Sequence, residues 1–555
     1  TSGVDLADGG KAVLRVPVTA GAVGIRSVET RLTTPDGRVL TKALALPVQV
    51  NDPPVARISR FDLAPGQTFT FGPDAFAGLI PGSGTATLAV GPLARLNAPG
   101  LLAALDRYPY GCTEQIVSRA LPLLYLNAVA EAVAAEGDAD IGGRIGEAIT
   151  EVLANQTAEG AFGLWSPQSG DFWLDAYVTD FLSRARAQGH AVPDTAFRSA
   201  LDNLRNQVNT QPDFDRGGEA LAYALMVLAR EGAAAIGDLR YYADVKGDAF
   251  ATPMAQAQLG AALASYGDQV RADAMFRRAG AALDALAGPE TEQVFRADYG
   301  TNRRDAAAVL TLAVEAGSRA VDREALADRL ATQGPNLSTQ EAVWSLLAAN
   351  ALAGGGATEG IAIDGVAASG PLARVLDAEA ATPVTVRNDG AAPTTVTVTT
   401  YGVPAEPEPA GGNGYAIARR YYTLEGEPAT PDGVVAGTRL VAVLEVTPFA
   451  RGEARLMVSD PLPAGFEIDN PNLIAGGQIA GLEALDLLGE VANAEFRQDR
   501  FLAAVDRFDN RPFRLGYVVR AVSPGTFRHP AASVEDMYRP DFRARTDAGT
   551  VTIRE

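Results

Sequence analysis

"RYPYGCTEQ", residues 107–115, holds the one cysteine of a 555-residue chain. Cys112 follows a Tyr-Pro-Tyr-Gly stretch, and Gln115 stands three residues after it. Pro109 and Gly111 make a turn, and Thr113-Glu114-Gln115-Ile116-Val117 starts a helix. That puts Cys112 at a helix N-terminus, where the partial positive charge favours a thiolate. Positions three apart on a helix are neighbours, so the Cys112 sulfur meets the Gln115 carboxamide. The plain alternative is a small buried hydrophobe, the usual fate of an unpaired cysteine.

Two chemistries fit a reactive Cys112. As a catalytic nucleophile it would need a base, most often His. The chain has His190 and His529, neither in a recognisable catalytic context, and His529 falls in a β region. Alternatively, Cys112 attacks the Gln115 side chain, ammonia leaves, and an internal thioester forms. The thiolate, from a parent thiol of pKa ~8.5, is a far better leaving group than an amide nitrogen. Such a bond lasts only where water is kept away, and Tyr108, Tyr110 and apolar helices stand close in sequence.

Away from this stretch the chain changes character twice. Residues 1–93 read as strands, with β-branched runs such as "KAVLRVPV" and "GTATLAV" and Pro-Asp-Gly and Pro-Gly punctuation. Residues 94–355 are rich in alanine and leucine. Five stretches there (175–189, 221–232, 254–268, 305–317 and 340–354) share one plan: an apolar helix of three to four turns, several ending at Gly. Recurrence at such intervals predicts helical hairpins stacked in an array or a closed ring. Strands return from about 360. "ALAGGGATEGIAIDG" (351–365) lacks the Lys-Ser/Thr of a phosphate loop and reads as a linker. "VPAEPEPAGGNGY" (403–415) reads as a second linker.

Composition excludes some functions. Hydrophobic residues at 47% and charged residues at 21% suit several packed cores. A net charge of −20 argues against nucleic acid and anionic membrane as partners. There is no HExxH, CxxC or GxSxG, so neither a metal nor another cofactor is expected. Trp165, Trp173 and Tyr177 with Asp171, Asp175 and Asp180 evoke a sugar-cleaving helical toroid, but their spacing sets no acid/base pair. The opening "TSGVDLADGGKAVLRVPV" reads as an entry in mid-domain, so the chain is expected to be the C-terminal part of something longer.

"YPYGCTEQ" resembles the Cys-x-Glu-Gln thioester motif of the α2-macroglobulin and complement superfamily, and the Tyr-Pro-Tyr-Gly lead-in resembles its bacterial branch. "GAFGLWSPQSGDFWLDAYVTDFL" (160–182) and "STQEAVWSLLA" (338–348) are similar to segments of that family's thioester domain, an α/α toroid. "AEFRQDRFLAAVD" (494–506) and residues 517–549 are similar to its final macroglobulin-like domain. The resemblance implies a multidomain α+β chain. Residues 1–52 would end a macroglobulin-like β-domain. Residues 53–93 and 356–413 would form one CUB-like β-sandwich, with the toroid 94–355 inserted between its strands. Residues 414–555 would be the last macroglobulin-like β-domain.

The function implied is a protease trap rather than an enzyme. A protease cuts a bait region, the thioester becomes accessible, and a lysine amine of the protease attacks Gln115 and releases Cys112. The resemblance also implies that Tyr108, Met537 and Tyr538 shield the bond, the last two from a loop-like stretch "SVEDMYRPDF" (533–542). It implies a monomer in the periplasm, lipid-anchored to the inner membrane, with a role in host defence and an association with a peptidoglycan synthase (a penicillin-binding protein). An adhesin-like module that couples to a surface through the same thioester is the alternative. Relatives that prefer hydroxyls use a nearby His. His190 is the one candidate in the toroid and is expected on a loop, so amines are expected as the preferred nucleophile.

Overall fold

The computed structural model describes all residues except 1–2, 7–8, 15, 109, 127–128, 131–139, 212, 287–294, 333, 335, 354–359, 369–371, 379–381, 451, 470–486 and 488–490. Pro109 of the expected turn and residues 354–359 of the first expected linker therefore lie outside the described residues.

The helical region closes on itself. Five helices, Phe172–Ala187, Glu219–Arg230, Pro253–Ser265, Asn302–Glu315 and Thr339–Ala353, pack each against the next. The short helix Thr113–Ala120 touches both the first and the last of them and completes the ring. These inner helices are buried on nearly every side, because each is covered by two ring neighbours and an outer helix. Amphipathic helices such as Ile141–Ala154, Asp194–Thr210, Gln269–Ala285 and Arg323–Ala331 form the outer layer, each resting on an inner helix. The five recurring stretches of the sequence are thus inner-ring helices, and the closed ring is the form taken. The Gly stops among the described residues work as read: after Pro253–Ser265, Gly267 has a φ of 78°, which a side chain would strain.

Strands from either side of the helical region share two sheets. One has the antiparallel order Val55–Leu63, Thr394–Gly402, Thr85–Val90, Leu372–Asp377. The other has the order Thr68–Phe71, Val384–Asn388, Ile361–Ile363, Val366–Ala367. Leu63, Phe71, Leu88, Val386 and Val396 fill the space between them. A separate hairpin, Gly24–Thr33 with Val39–Val48, precedes them with many apolar side chains exposed.

The C-terminal region is a β-domain built on a six-stranded and a five-stranded sheet. Its core includes Leu444, Leu456, Phe501, Leu515, Tyr517 and Val534. Two expectations change here. Gly411–Asn413, read as linker, pairs with Arg539–Arg545 as an edge strand. Residues 533–542, read as a loop, form a hairpin of Ser533–Asp536 and Arg539–Arg545, with Met537 and Tyr538 at its tip. The register shift between Glu535 and Asp536 lets the tip turn tightly, and the Asp536 carboxylate accepts a hydrogen bond from the Tyr538 N–H at 3.1 Å.

Candidate functional site

Cys112 is the N-cap of the helix Thr113–Ala120, which the chain enters in extended conformation. The Gln115 N–H donates to the Cys112 sulfur, and the Cys112 N–H donates to Gln115 Oε1 at 3.2 Å. This is a capping box with sulfur and carboxamide in the roles usually played by hydroxyl and carboxylate. Both side chains are wholly buried. The helix start is anchored from below. The Thr113 N–H donates to the Leu164 carbonyl at 2.8 Å, Thr113 Oγ1 donates to the Gly163 carbonyl at 2.6 Å, and Asn155 Nδ2 donates to Thr113 Oγ1 at 2.8 Å. The supporting loop in turn needs Gly160, whose φ is 93° and where a Cβ would lie 2.1 Å from the Ser199 carbonyl oxygen.

The lid over this pair comes from the last domain. Gln115 Nε2 lies 3.6 Å from Met537 Sδ. The Tyr538 hydroxyl donates to Glu114 Oε2 at 3.0 Å. The Tyr538 ring meets Tyr299 edge-on at 4.8 Å between centroids. Arg455, in the strand Ala454–Pro461, sits over Tyr299 at 4.1 Å, and its carbonyl accepts the Met537 N–H at 2.9 Å. Met537 and Tyr538 belong to the same apolar cluster as the toroid core, and half-buried Tyr108 packs against that cluster. Tyr108 meets Tyr110 edge-on at 5.1 Å, and the buried Tyr108 hydroxyl has no partner among the described residues. The structure therefore brings Tyr108, Cys112, Gln115, Met537 and Tyr538 together, although more than 400 positions separate the lid from the cysteine.

One expectation is reversed. Burial pushes the Cys112 thiol well above its ordinary pKa, and the neighbouring Glu114 carboxylate adds to the effect. The N–H groups of the helix start oppose this but do not win. A buried thiol in an eight-residue helix is desolvated more than the short helix dipole can offset. No imidazole is in place to serve as a base. His190 lies on a loop, as expected, with its N–H on the Ala185 carbonyl. His529 ends the strand Gly525–His529 beside the Tyr421 hydroxyl, and burial first, then Arg419, lowers its pKa to about 3.

The three aspartates of the sugar-toroid reading serve structure. Asp171 caps Phe172–Ala187 through the Leu174 N–H and takes the Tyr299 hydroxyl. Asp175 accepts from the Phe162 N–H, Asn203 and Gln207, and burial raises it to about 6. Asp180, paired with Arg184 and Arg230, is held at about 2 although burial opposes it.

Glu114 is the residue that sequence reasoning passed over. It is fully buried and, among the described residues, forms no ion pair; its carboxylate accepts from Ser118 at 2.6 Å, Gln340 at 2.7 Å, and Thr339 and Tyr538 at 3.0 Å. It ties the inner helix of the motif to the helix Thr339–Ala353 and to the lid. The available signal was a lone carboxylate, Glu114, beside the Cys112–Gln115 pair in the helix "TEQIVSRA". Tyr299 and Arg455 carried no sequence signal at all.

Glu535 is expected to make the lid pH-sensitive. It stands in the seam, near Tyr108 and Tyr110 of the toroid and flanked by Arg543 and Asp536. Burial lifts its carboxyl to about 7, Arg543 opposes this and Asp536 adds to it. The docked lid then holds a proton more tightly than a freed hairpin, whose Glu would titrate near ~4.3. Docking is expected to weaken as pH rises from about 4.5 to 7 and to level off above that. Hydrogen exchange over residues 112–118, corrected for intrinsic rates, should speed up across this interval. Glu535→Gln should flatten the profile; an unchanged profile in that variant would refute the assignment.

Comparison with known proteins agrees with this architecture. Residues 414–541 match the model of the bacterial α2-macroglobulin MG10 domain, and residues 86–226 match that of the A-macroglobulin TED domain. The chain is 30% identical to the α2-macroglobulin of Escherichia coli (strain K12) over 99% of its length, and 31% identical to that of Xylella fastidiosa (strain 9a5c) over 100%. It spans 35% of each of these relatives. The crystal structure of native E. coli α2-macroglobulin from domain MG7 to the C-terminus superposes with a TM-score of 0.80 at 27% identity, covering 96% of this chain and 88% of that one. Salmonella α2-macroglobulin reacted with methylamine gives a TM-score of 0.80 at 28% identity, covering 96% and 36%. With a TED toroid seated on an MG10 β-domain, the chain belongs to the bacterial α2-macroglobulin family and corresponds to its C-terminal portion.

Proposed function

We propose that this chain carries the capture machinery of a bait-and-trap protease inhibitor, with Cys112 and Gln115 joined as an internal thioester. The observation that carries the reading is the reciprocal pairing of sulfur and carboxamide at one helix start, sealed by a hairpin from another domain. In bond formation the Cys112 sulfur attacks Gln115 Cδ, the C–N bond breaks, and ammonia leaves with the thiol proton. The Cys112 N–H on Oε1 polarises the carbonyl, as an oxyanion-hole donor does. In capture, a lysine amine of the protease attacks the same carbon, the C–S bond breaks, an amide forms, and the thiol takes up the proton. Each molecule reacts once, so the protein is a trap and not a catalyst. A relative has been crystallised after reaction with methylamine, an amine of the required kind. Family membership alone supports the rest of the proposal: a bait region elsewhere in the protein, a periplasmic and lipid-anchored setting, and partnership with a peptidoglycan synthase.

Intact mass tests the thioester. The bonded chain should weigh one ammonia less than its sequence, and methylamine should add its full mass and expose one titratable thiol. A chain at sequence mass that ignores methylamine would refute the bond. With His190 on a loop as the toroid's one imidazole, amide products are also expected to dominate when methylamine competes with glycerol; predominant ester would overturn that preference.

A further inference from the structure

Arg455 stands where the last domain meets the toroid, and its cation is answered by rings. It is half-buried in the strand Ala454–Pro461, and among the described residues no carboxylate pairs with it. Asp171 and Asp506 contribute opposite charge from farther away. The guanidinium lies 4.1 Å from the centre of the Tyr299 ring, 4.8 Å from that of Phe295 and 5.9 Å from that of Tyr538. Two of these rings belong to the toroid and the third to the lid. Arginine keeps its charge when buried, and the negative face of an aromatic ring attracts it, the more so as water is withdrawn.

On the toroid side this contact rests on a tightly held turn. Tyr299 has a φ of 56°, a left-handed conformation uncommon for a bulky side chain. Its N–H donates to the Arg296 carbonyl at 3.2 Å. Beneath the turn, Arg304 donates to the Asp298 carboxylate at 2.6 Å and to the Asp298 carbonyl at 3.0 Å, while Arg296 pairs with Asp298 and Asp305. Gly300 is required here, since a Cβ would lie 1.8 Å from Arg304 Nη2. Backbone strain of this kind persists where the surroundings over-determine it, and it clusters at clamps and switch regions. The Tyr299 hydroxyl donates to Asp171, which enriches the ring in electrons and strengthens its pull on a cation. The ring thus set meets Arg455 over its face and Tyr538 edge-on. Arg455 also grips the lid through its backbone. Its carbonyl accepts the Met537 N–H at 2.9 Å, and the next residue, Leu456, stands opposite Asp536 in the sheet.

We propose that Arg455 is the positioning residue of the lid: its guanidinium on the Tyr299 ring, and its carbonyl on the Met537 N–H, keep the hairpin tip seated over Cys112 and Gln115. Arg455 makes and breaks no bond. It acts through Met537 and Tyr538, by setting how often the hairpin lifts. The consequence for the lifetime of a thioester rests on the thioester reading; the seating of the hairpin does not.

Thiol labelling of the whole chain carrying Gln115→Ala tests the role. That chain cannot form the bond, so Cys112 stays a free thiol beneath the lid, and its alkylation by iodoacetamide reports lid opening. Adding Arg455→Met is expected to speed labelling about tenfold. Arg455→Lys should speed it less, because an ammonium keeps the charge but stacks less well on a ring. Tyr299→Leu should match Arg455→Met, and the two together should do little more than either alone, as expected when both remove one shared contact. Parent-like labelling in Arg455→Met, equal rates for the Lys and Met variants, or effects that multiply in the double variant would overturn the proposal. If Tyr299→Leu does not fold, the two Arg455 variants decide. With Gln115 restored, methylamine-dependent thiol release should rise in the same order. Labelling that responds to Arg455 while methylamine frees no thiol from any form would leave the positioning role standing and remove the thioester. Thiol release at one rate from parent and Arg455→Met would keep the thioester and remove the positioning role.

Discussion

Met537→Ala with Tyr538→Ala is expected to speed methylamine-dependent thiol release about 10- to 100-fold while leaving the secondary structure unchanged. Met537 and Tyr538 are 3% and 5% exposed, and they are the lid's contacts to the Gln115 carboxamide and to Glu114. Burying an apolar side chain of this size is worth ~1.5–3 kcal/mol. Losing part of that from both positions lowers the cost of lifting the hairpin by ~1.4–2.7 kcal/mol, one to two decades in rate. The rest of the last domain keeps its own core, so circular dichroism should not change. Spontaneous hydrolysis should accelerate in parallel, because water meets the same barrier as the amine. A double variant that releases thiol at the parent's rate would show that something other than this hairpin shields the bond.

Glu114→Ala is expected to cost the toroid about 3–5 kcal/mol and to loosen the lid as well. The carboxylate is the shared acceptor for Ser118, Thr339, Gln340 and Tyr538, all in a dry interior. Each donor left without a partner there costs ~1–3 kcal/mol, reduced where a hydroxyl can swing to a new acceptor. Burial raises the Glu114 pKa, and Gln340, Ser118, Thr339 and Tyr538 pull it back in that order. Glu114→Gln should fall between parent and Ala, since one amide oxygen can still accept while the amide nitrogen faces other donors. The shift of the urea midpoint, read together with hydrogen exchange over residues 113–120, measures the loss. A Glu114→Ala protein within 1 kcal/mol of the parent would show that the buried carboxylate is not the joint described here.

Both results turn on contacts of different origin. The meeting of Cys112 and Gln115 is local. Three helical positions bring them together whatever else the chain does, and that is why one nonapeptide could point to the site. The inner helices were equally legible, because each announces itself by apolar residues in a run of three to four turns and several by a Gly stop. The helix Thr113–Ala120 was not recognised as the sixth member of the ring, since at eight residues it is too short to display the shared plan. Met537 and Tyr538 came from resemblance rather than from any pattern in residues 533–542. Read locally, those residues suggested a loop, and the bulge that makes them a hairpin tip depends on pairing with neighbouring strands.

By itself, then, the amino-acid sequence determined what short-range physics controls: the helix start beneath Cys112, the pairing of sulfur with carboxamide, the recurring inner helices and the order of strand, helix and strand regions. Tertiary structure alone decided the closure of the ring, the mixing of strands from 55–90 and 361–402 in common sheets, the lid and the four side chains around Glu114. It also reversed the expected state of Cys112, from favoured thiolate to a thiol pushed well up by burial. The physical reason is the range of the forces involved. Backbone propensity and i, i+3 geometry act within a turn of chain, whereas the desolvation that sets a pKa or seals a reactive bond depends on whichever distant residues pack on top.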